Sequence, residues 1–123
     1  MAEAVDTVFQ KMGEPVRVHE VQDVQREFYQ HSIIASLTME GEGVEATMNL
    51  LFPELSARHL ATVMSGGEAP PDMDTVRDAV GELNNLISGG VAGRLRTCGF
   101  ELHLALPAVV SGFRIQFSWH AAA

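Results

Sequence analysis

Glu82 and Asn85 stand three residues apart in Asp78-Ala-Val-Gly-Glu-Leu-Asn-Asn-Leu-Ile-Ser-Gly-Gly-Val-Ala-Gly-Arg-Leu95, a stretch with helical periodicity. Two helical side chains at that spacing are neighbours on one surface. Winding the stretch at about 100° per residue puts Val76, Ala79, Val80, Leu83, Leu86, Ile87 and Gly90 on one broad stripe, the expected buried face. Asp78, Glu82, Asn85, Gly89 and Ala92 fall on the opposite side. A solvated helix face normally carries Lys, Glu, Arg or Gln. This one sets an acid and an amide among Gly81, Ser88, Gly89, Ala92 and Gly93. Each glycine inside a helix costs about 1 kcal/mol relative to alanine. Such a bare surface makes sense where another protein approaches the helix backbone closely. Asp78, Gly81, Ser88, Gly89 and Ala92 are therefore the expected partner-binding residues around the pair. By itself an acid and an amide at this spacing is equally what an ordinary solvated face produces, and the glycines can equally reflect packing of the helix on a sheet.

The other candidate constellations are weaker. His19, His31, His59, His103 and His120 show neither HxH nor HxxxH spacing. Glu101 and His103 share one strand face, but two ligands do not make a metal site, so no metal is expected in this chain. Ser65 and Ser111 lack the G-x-S-x-G context of a nucleophile elbow. Ser65-Gly-Gly-Glu68 has no following Lys or Thr and is not a phosphate loop. The six methionines fall at core-like spacings, and Cys98 reads as structural.

Composition narrows the class of partner. Sixteen acidic residues against eight basic ones leave a net charge of -8 over 123 residues, and no two cations adjoin. A phosphate-backbone binder needs a basic stripe, and so does a polybasic membrane-surface protein; neither nucleic acid nor membrane is an expected partner. A single cysteine cannot form an internal disulfide. The start Met1-Ala-Glu-Ala-Val-Asp6 lacks the basic and apolar regions of a signal peptide, and the longest apolar runs are far shorter than a bilayer span. The expectation is a cytoplasmic protein with one domain over 1–123.

Periodicity supplies the elements that must hold the pair in place. Val5, Val8, Phe9 and Met12 share a helical face, and Val16, Val18 and Val21 suggest a short strand, with the polar stretch Glu20 to Glu27 unassigned. Ile33, Ala35, Leu37 and Met39 alternate with Ile34, Ser36 and Thr38, and Val44, Ala46, Met48, Leu50 and Phe52 alternate more cleanly after Glu40-Gly-Glu-Gly43, which predicts a hairpin. Pro53 suits the first turn of a helix carrying Leu55, Leu60, Val63 and Met64, and Gly66-Gly67 stops it. A longer helix, capped by Asp72 or Asp74, runs to about Cys98-Gly99. Phe100 to Leu106 and Phe113 to Trp119 then alternate as strands. The order αβββααββ describes an α+β domain with helices packed on a largely antiparallel sheet.

With Leu106-Pro-Ala-Val-Val-Ser-Gly112 added, the segment from Asp78 closely resembles the CheX family of bacterial chemotaxis phosphatases. That family shows a G-E-x-x-N motif, here Gly81, Glu82 and Asn85, followed by a small-residue helical turn at Ser88 to Gly90. Its later P-x-V-V-x-G segment is here Pro107, Val109, Val110 and Gly112. The Ile33 to Phe52 hairpin, the helix from Pro53 and the Met64-Ser-Gly-Gly67 ending follow the same order, so the resemblance covers nearly the whole chain. The related CheC proteins carry a second such motif on the first helix. Glu3 to Met12 contains no asparagine, which favours CheX. Flagellar switch relatives lack the acid–amide pair.

The resemblance implies hydrolysis of the aspartyl phosphate of a CheY-like response regulator. Asn85 orients the attacking water, Glu82 pairs with the regulator's active-site lysine, and Mg2+ belongs to the regulator. This chain then needs no cofactor of its own. A non-catalytic module docking on a regulator or flagellar component is the alternative. Family members continue beyond the P-x-V-V-x-G segment with further strands, so Phe113 to Trp119 is expected to form an exposed sheet edge. Pairing of that edge with a second copy gives a two-fold homodimer.

Overall fold

The computed structural model describes residues 7, 8, 11, 25–28, 31–67, 71–112 and 115–118. Its elements are β1 (Gln25–Phe28), β2 (Ser32–Gly41), β3 (Val44–Pro53), α1 (Glu54–Met64), α2 (Met73–Thr97), β4 (His103–Leu104), β5 (Ala108–Gly112) and β6 (Ile115–Ser118). Thr7, Val8 and Lys11 are helical, and Val8 packs against the core. The rest of the expected first helix and the expected strand from Val16 to Val21 lie outside the described residues.

The hairpin forms where alternation places it. β2 and β3 pair antiparallel from Ser32↔Pro53 to Gly41↔Val44, joined by the two-residue turn Glu42–Gly43. β2 is the centre of the larger sheet, with β3 on one side and both β4 and β5 on the other. β4 pairs with the Met39–Glu40 end of β2, and β5 with Ser32 to Ser36 at the opposite end. Every described pairing is antiparallel, in agreement with the expected α+β class.

Burial follows the period of two. Ile33, Ala35, Leu37 and Met39 are all 2% exposed or less, and form the sheet side of the core. Facing them are Val76, Val80, Leu83 and Ile87 of α2 and Ala57, Leu60 and Ala61 of α1. A fully buried side chain of this kind contributes about 2 kcal/mol, so β2 and α2 are the elements hardest to displace. Met39 and Met48 join this core, as their spacing suggested.

Four features differ from expectation. β1 lies in the stretch that periodicity left unassigned. Leu55, read as part of the buried face of α1, is 83% exposed in the first turn. The strand expected over Phe100 to Leu106 contracts to β4: the chain is still leaving α2 at Phe100, and after Ala105 donates to the Thr38 carbonyl (2.9 Å) Pro107 has no N–H to continue the ladder. The Pro107 to Gly112 segment supplies β5, an additional strand. β6 occupies the expected last strand and is paired along one edge by β1, from Gln25↔Ser118 to Phe28↔Ile115.

A polar cluster fixes the β3–α1 corner. The Glu54 carboxylate accepts from Arg58 Nη2 at 2.9 Å and Nε at 3.1 Å, and His31 Nδ1 lies 3.2 Å away. Arg58 also donates to the Pro71 carbonyl (3.0 Å), tying α1 to the entrance of α2. These bonds, Arg58's first, hold the Glu54 carboxyl below its ordinary value. The backbone N–H of Thr75 does the same for Asp72. A carboxyl whose folded pKa lies below its unfolded one stabilises the fold above the unfolded value and loses that contribution as pH falls through the folded one. Urea midpoints are therefore expected to be flat near neutrality and to fall below about pH 4.5. Glu54→Gln should flatten part of that acid limb while leaving the slope near neutral pH unchanged.

Candidate functional site

α2 is built to be long and to stop sharply. Asp72 caps it, its Oδ1 accepting from the Thr75 N–H at 2.8 Å. At the other end Cys98 is the C-cap and Gly99 follows at φ +93°, a conformation that suits a residue without Cβ. There the Phe100 N–H bonds to the Leu95 carbonyl and the Gly99 N–H to that of Arg96, both at 3.0 Å. Cys98, read from sequence as structural, is exposed.

Along this helix Asp78, Glu82, Asn85 and Gly89 are exposed, as expected of one outward face. The other expected partner-binding residues are placed differently. Gly81 is buried, Ser88 is fully buried and Ala92 is 4% exposed. Conversely Leu86, expected in the core, is 43% exposed, and Gly90 is also exposed.

The cause is a second buried flank. β4 and β5 lie successively along β2 in the same direction, and β5 packs against α2 while running opposite to it. Arg77 Nη1 donates to Ser111 Oγ at 3.3 Å, and a Cβ on Gly81 would lie 3.3 Å from Val109 Cγ2 and 3.5 Å from Pro107 Cγ. Gly81 thus lets the Pro107–Val109 segment lie directly on the helix, one residue before Glu82.

Where α2 meets β2 and β3 lies a polar anchor which sequence reasoning missed. Asn84 is fully buried and its Nδ2 donates to the Ala35 carbonyl of β2 (2.8 Å) and the Met48 carbonyl of β3 (3.0 Å). Its Oδ1 accepts from Ser88 Oγ at 2.8 Å, so Ser88 serves the interior. The row Gly81, Asn84, Ser88, Ala92 at helical spacing was the available signal: small or amide residues mark a close, hydrogen-bonded contact. Asn84 pins the rotation of α2, and Asn85, one residue on, is turned out to solvent.

The glycines of the outer face have no packing role. A Cβ on Gly89 or Gly93 would meet nothing within 4 Å. Gly89→Ala and Gly93→Ala are each expected to raise stability, by about 0.5 to 1 kcal/mol in urea unfolding.

The face that carries Glu82 and Asn85 is a surface and not a pocket. A concavity of about 620 Å³ at the hairpin end, bounded by Glu40, Glu42, Phe100, Glu101 and His103, includes neither Glu82 nor Asn85. Among the described residues no three His, Cys, Asp or Glu side chains are placed to hold a metal ion, and no helix is long and apolar enough to cross a membrane.

The chain is thus an α+β domain that presents an acid and an amide one helical turn apart on an exposed helix face, with β5 packed against that helix. The family model for chemotaxis phosphatase CheX matches residues 33–122, and the chain belongs to this family. The CheY-P phosphatase CheX of Thermotoga maritima is 28% identical over 103 residues, which are 83% of this chain and 62% of that protein. The chain is thus matched to less than two thirds of that relative's length. A crystal structure of a chemotaxis protein CheX from Desulfovibrio desulfuricans shares the fold at TM-score 0.78 and 22% identity, covering 95% of this chain and 78% of that one. A CheX–CheY–BeF3–Mg+2 complex from Borrelia burgdorferi aligns at TM-score 0.56 and 19% identity, over 89% of this chain and 72% of that one.

Proposed function

We propose that this protein hydrolyses the aspartyl phosphate of a CheY-like response regulator, with Glu82 and Asn85 as the residues that act on it. The observation that carries the reading is the exposure of both on one face of α2 while their neighbours Leu83 and Asn84 are buried. Membership of the CheX family, and the name of the Thermotoga maritima relative as a CheY-P phosphatase, support it. The flat, glycine-bare face suits a protein substrate better than a small molecule.

Phosphoryl transfer needs an in-line nucleophile and charge compensation more than covalent help. In this reading the regulator brings the phosphoryl group, its Mg2+ and its lysine. Asn85 contributes a carboxamide, neutral beside the phosphoryl oxygens and able both to donate and to accept, which holds the attacking water in line. Glu82 pairs with the lysine and fixes the register of the two proteins. Asp78, one turn before Glu82 and also exposed, extends the acidic surface that faces it. The competing reading is a docking module that only sequesters the regulator.

Sub-stoichiometric protein mixed with phosphorylated regulator and Mg2+, without kinase, separates them. Phosphate release that scales with catalytic amounts of this chain is the expected result. Stoichiometric protection of the phosphoryl group would establish the docking module instead.

A further inference from the structure

Exposed apolar side chains are informative where they border a polar centre, because a docked partner covers them. Leu106 is 92% exposed and immediately precedes Pro107, which the close contact at Gly81 holds against α2. Leu86 is 43% exposed on α2 itself. At 3.6 residues per turn, Leu86 lies about 40° to one side of Glu82, whereas Asn85 lies about 60° and Gly81 about 100° to the other. Pro107, beside Gly81, is therefore on the Asn85 flank and Leu86 on the far one. Gly89 and Gly93 carry the same face onward without side chains, and open space lies above both. The polar pair thus stands between two unshielded leucines.

We propose that Leu86 and Leu106 are the apolar contacts which seat the receiver domain of the phosphorylated regulator across Glu82 and Asn85. This rests on the phosphatase reading and deepens it, since it assigns affinity and catalysis to different side chains of one surface. The face itself argues for a folded protein domain as occupant: the leucines lie on two different elements, α2 and the β4–β5 connection, either side of a charged centre.

The test is steady-state hydrolysis with a panel of CheY-like regulators phosphorylated by acetyl phosphate and Mg2+. The variants are Leu86→Gln, Leu106→Gln and the double variant, with Leu55→Gln, an 83% exposed leucine on α1, as control. Each single change is expected to raise KM about tenfold and the double change about 100-fold. The expected kcat stays within about twofold of wild type, the thermal midpoint is unchanged, and Leu55→Gln leaves KM alone. Leu106, almost wholly exposed, can be changed without disturbing packing and carries the test if Leu86→Gln affects folding. An unchanged KM in the double variant, or a fall in kcat alone, overturns the leucine assignment while leaving the phosphatase reading intact. Absence of turnover by wild type on every regulator, matched by Asn85→Ala, overturns the phosphatase reading and this inference with it.

Discussion

Asn85→Ala is expected to lower kcat for regulator dephosphorylation by about 100-fold or more, the usual effect of removing one positioned polar group from a phosphoryl- or acyl-transfer site. The amide is asked to hold a water that matters chiefly in the transition state, so affinity for a beryllium fluoride-activated regulator should stay within about twofold. Stability should also hold, because Asn85 is exposed and surface substitutions of this kind fall within about 0.5 kcal/mol. Asn85→Asp keeps the shape and replaces the neutral amide by an anion facing the phosphoryl oxygens; it should be as inactive as alanine and should also bind less well. Glu82→Ala removes the charge proposed to set the register, and both binding and turnover should fall. Glu82→Lys should be worse still, since it meets the regulator's lysine with like charge. An Asn85→Ala variant as fast as wild type would refute the assigned role.

How much of this was legible in the sequence depends on which physical signal each element carried. The β2–β3 hairpin was, because Ile33, Ala35, Leu37 and Met39 alternate without interruption and all turn inward. The limits of α2 were, because Asp72 or Asp74 is a start signal and Gly99 a stop signal. Exposure of Glu82 and Asn85 followed from spacing alone. The interior faces of α2 were less legible, because a single apolar stripe was assumed. Apolar residues mark only the flank that meets α1 and β2. The rest of the buried arc is marked by Gly81, which meets Pro107 and Val109, by Asn84 and Ser88, which serve the carbonyls of β2 and β3, and by Ala92; of these Gly81, Ser88 and Ala92 read as surface in the sequence. Leu86 was misplaced for the same reason: widening the buried arc on one side leaves the opposite margin in solvent. β5 was missed because Val109 faces the core while Val110 is 62% exposed, and a five-residue strand after a proline gives too few periods to count.

The neighbouring asparagine should have the opposite phenotype. Asn84 spends both Nδ2 hydrogens on the carbonyls of Ala35 and Met48, and its Oδ1 accepts from Ser88 Oγ, all in the dry interior. Asn84→Leu keeps the volume but leaves these groups without their partner, at about 1 to 3 kcal/mol for each group that finds no other. A loss of about 3 kcal/mol in urea unfolding is the expected sum, a large fraction of the stability of an ordinary domain. Asn84→Asp should be worse at neutral pH, because it turns carboxylate oxygens toward carbonyl oxygens and buries a charge. Some of that loss should return in acid, where the carboxyl is protonated and again has a hydrogen to donate. Ser88→Ala alone should cost about 1 kcal/mol. In the Asn84→Leu background it should cost less, since the hydroxyl there has already lost its acceptor, and a double-mutant cycle reads that coupling directly. Turnover per folded molecule should survive in these variants, because none of them alters the outer face. If Asn84→Leu instead abolished hydrolysis while remaining as stable as wild type, the separation between the asparagine that holds the helix and the asparagine that acts on the substrate would be wrong.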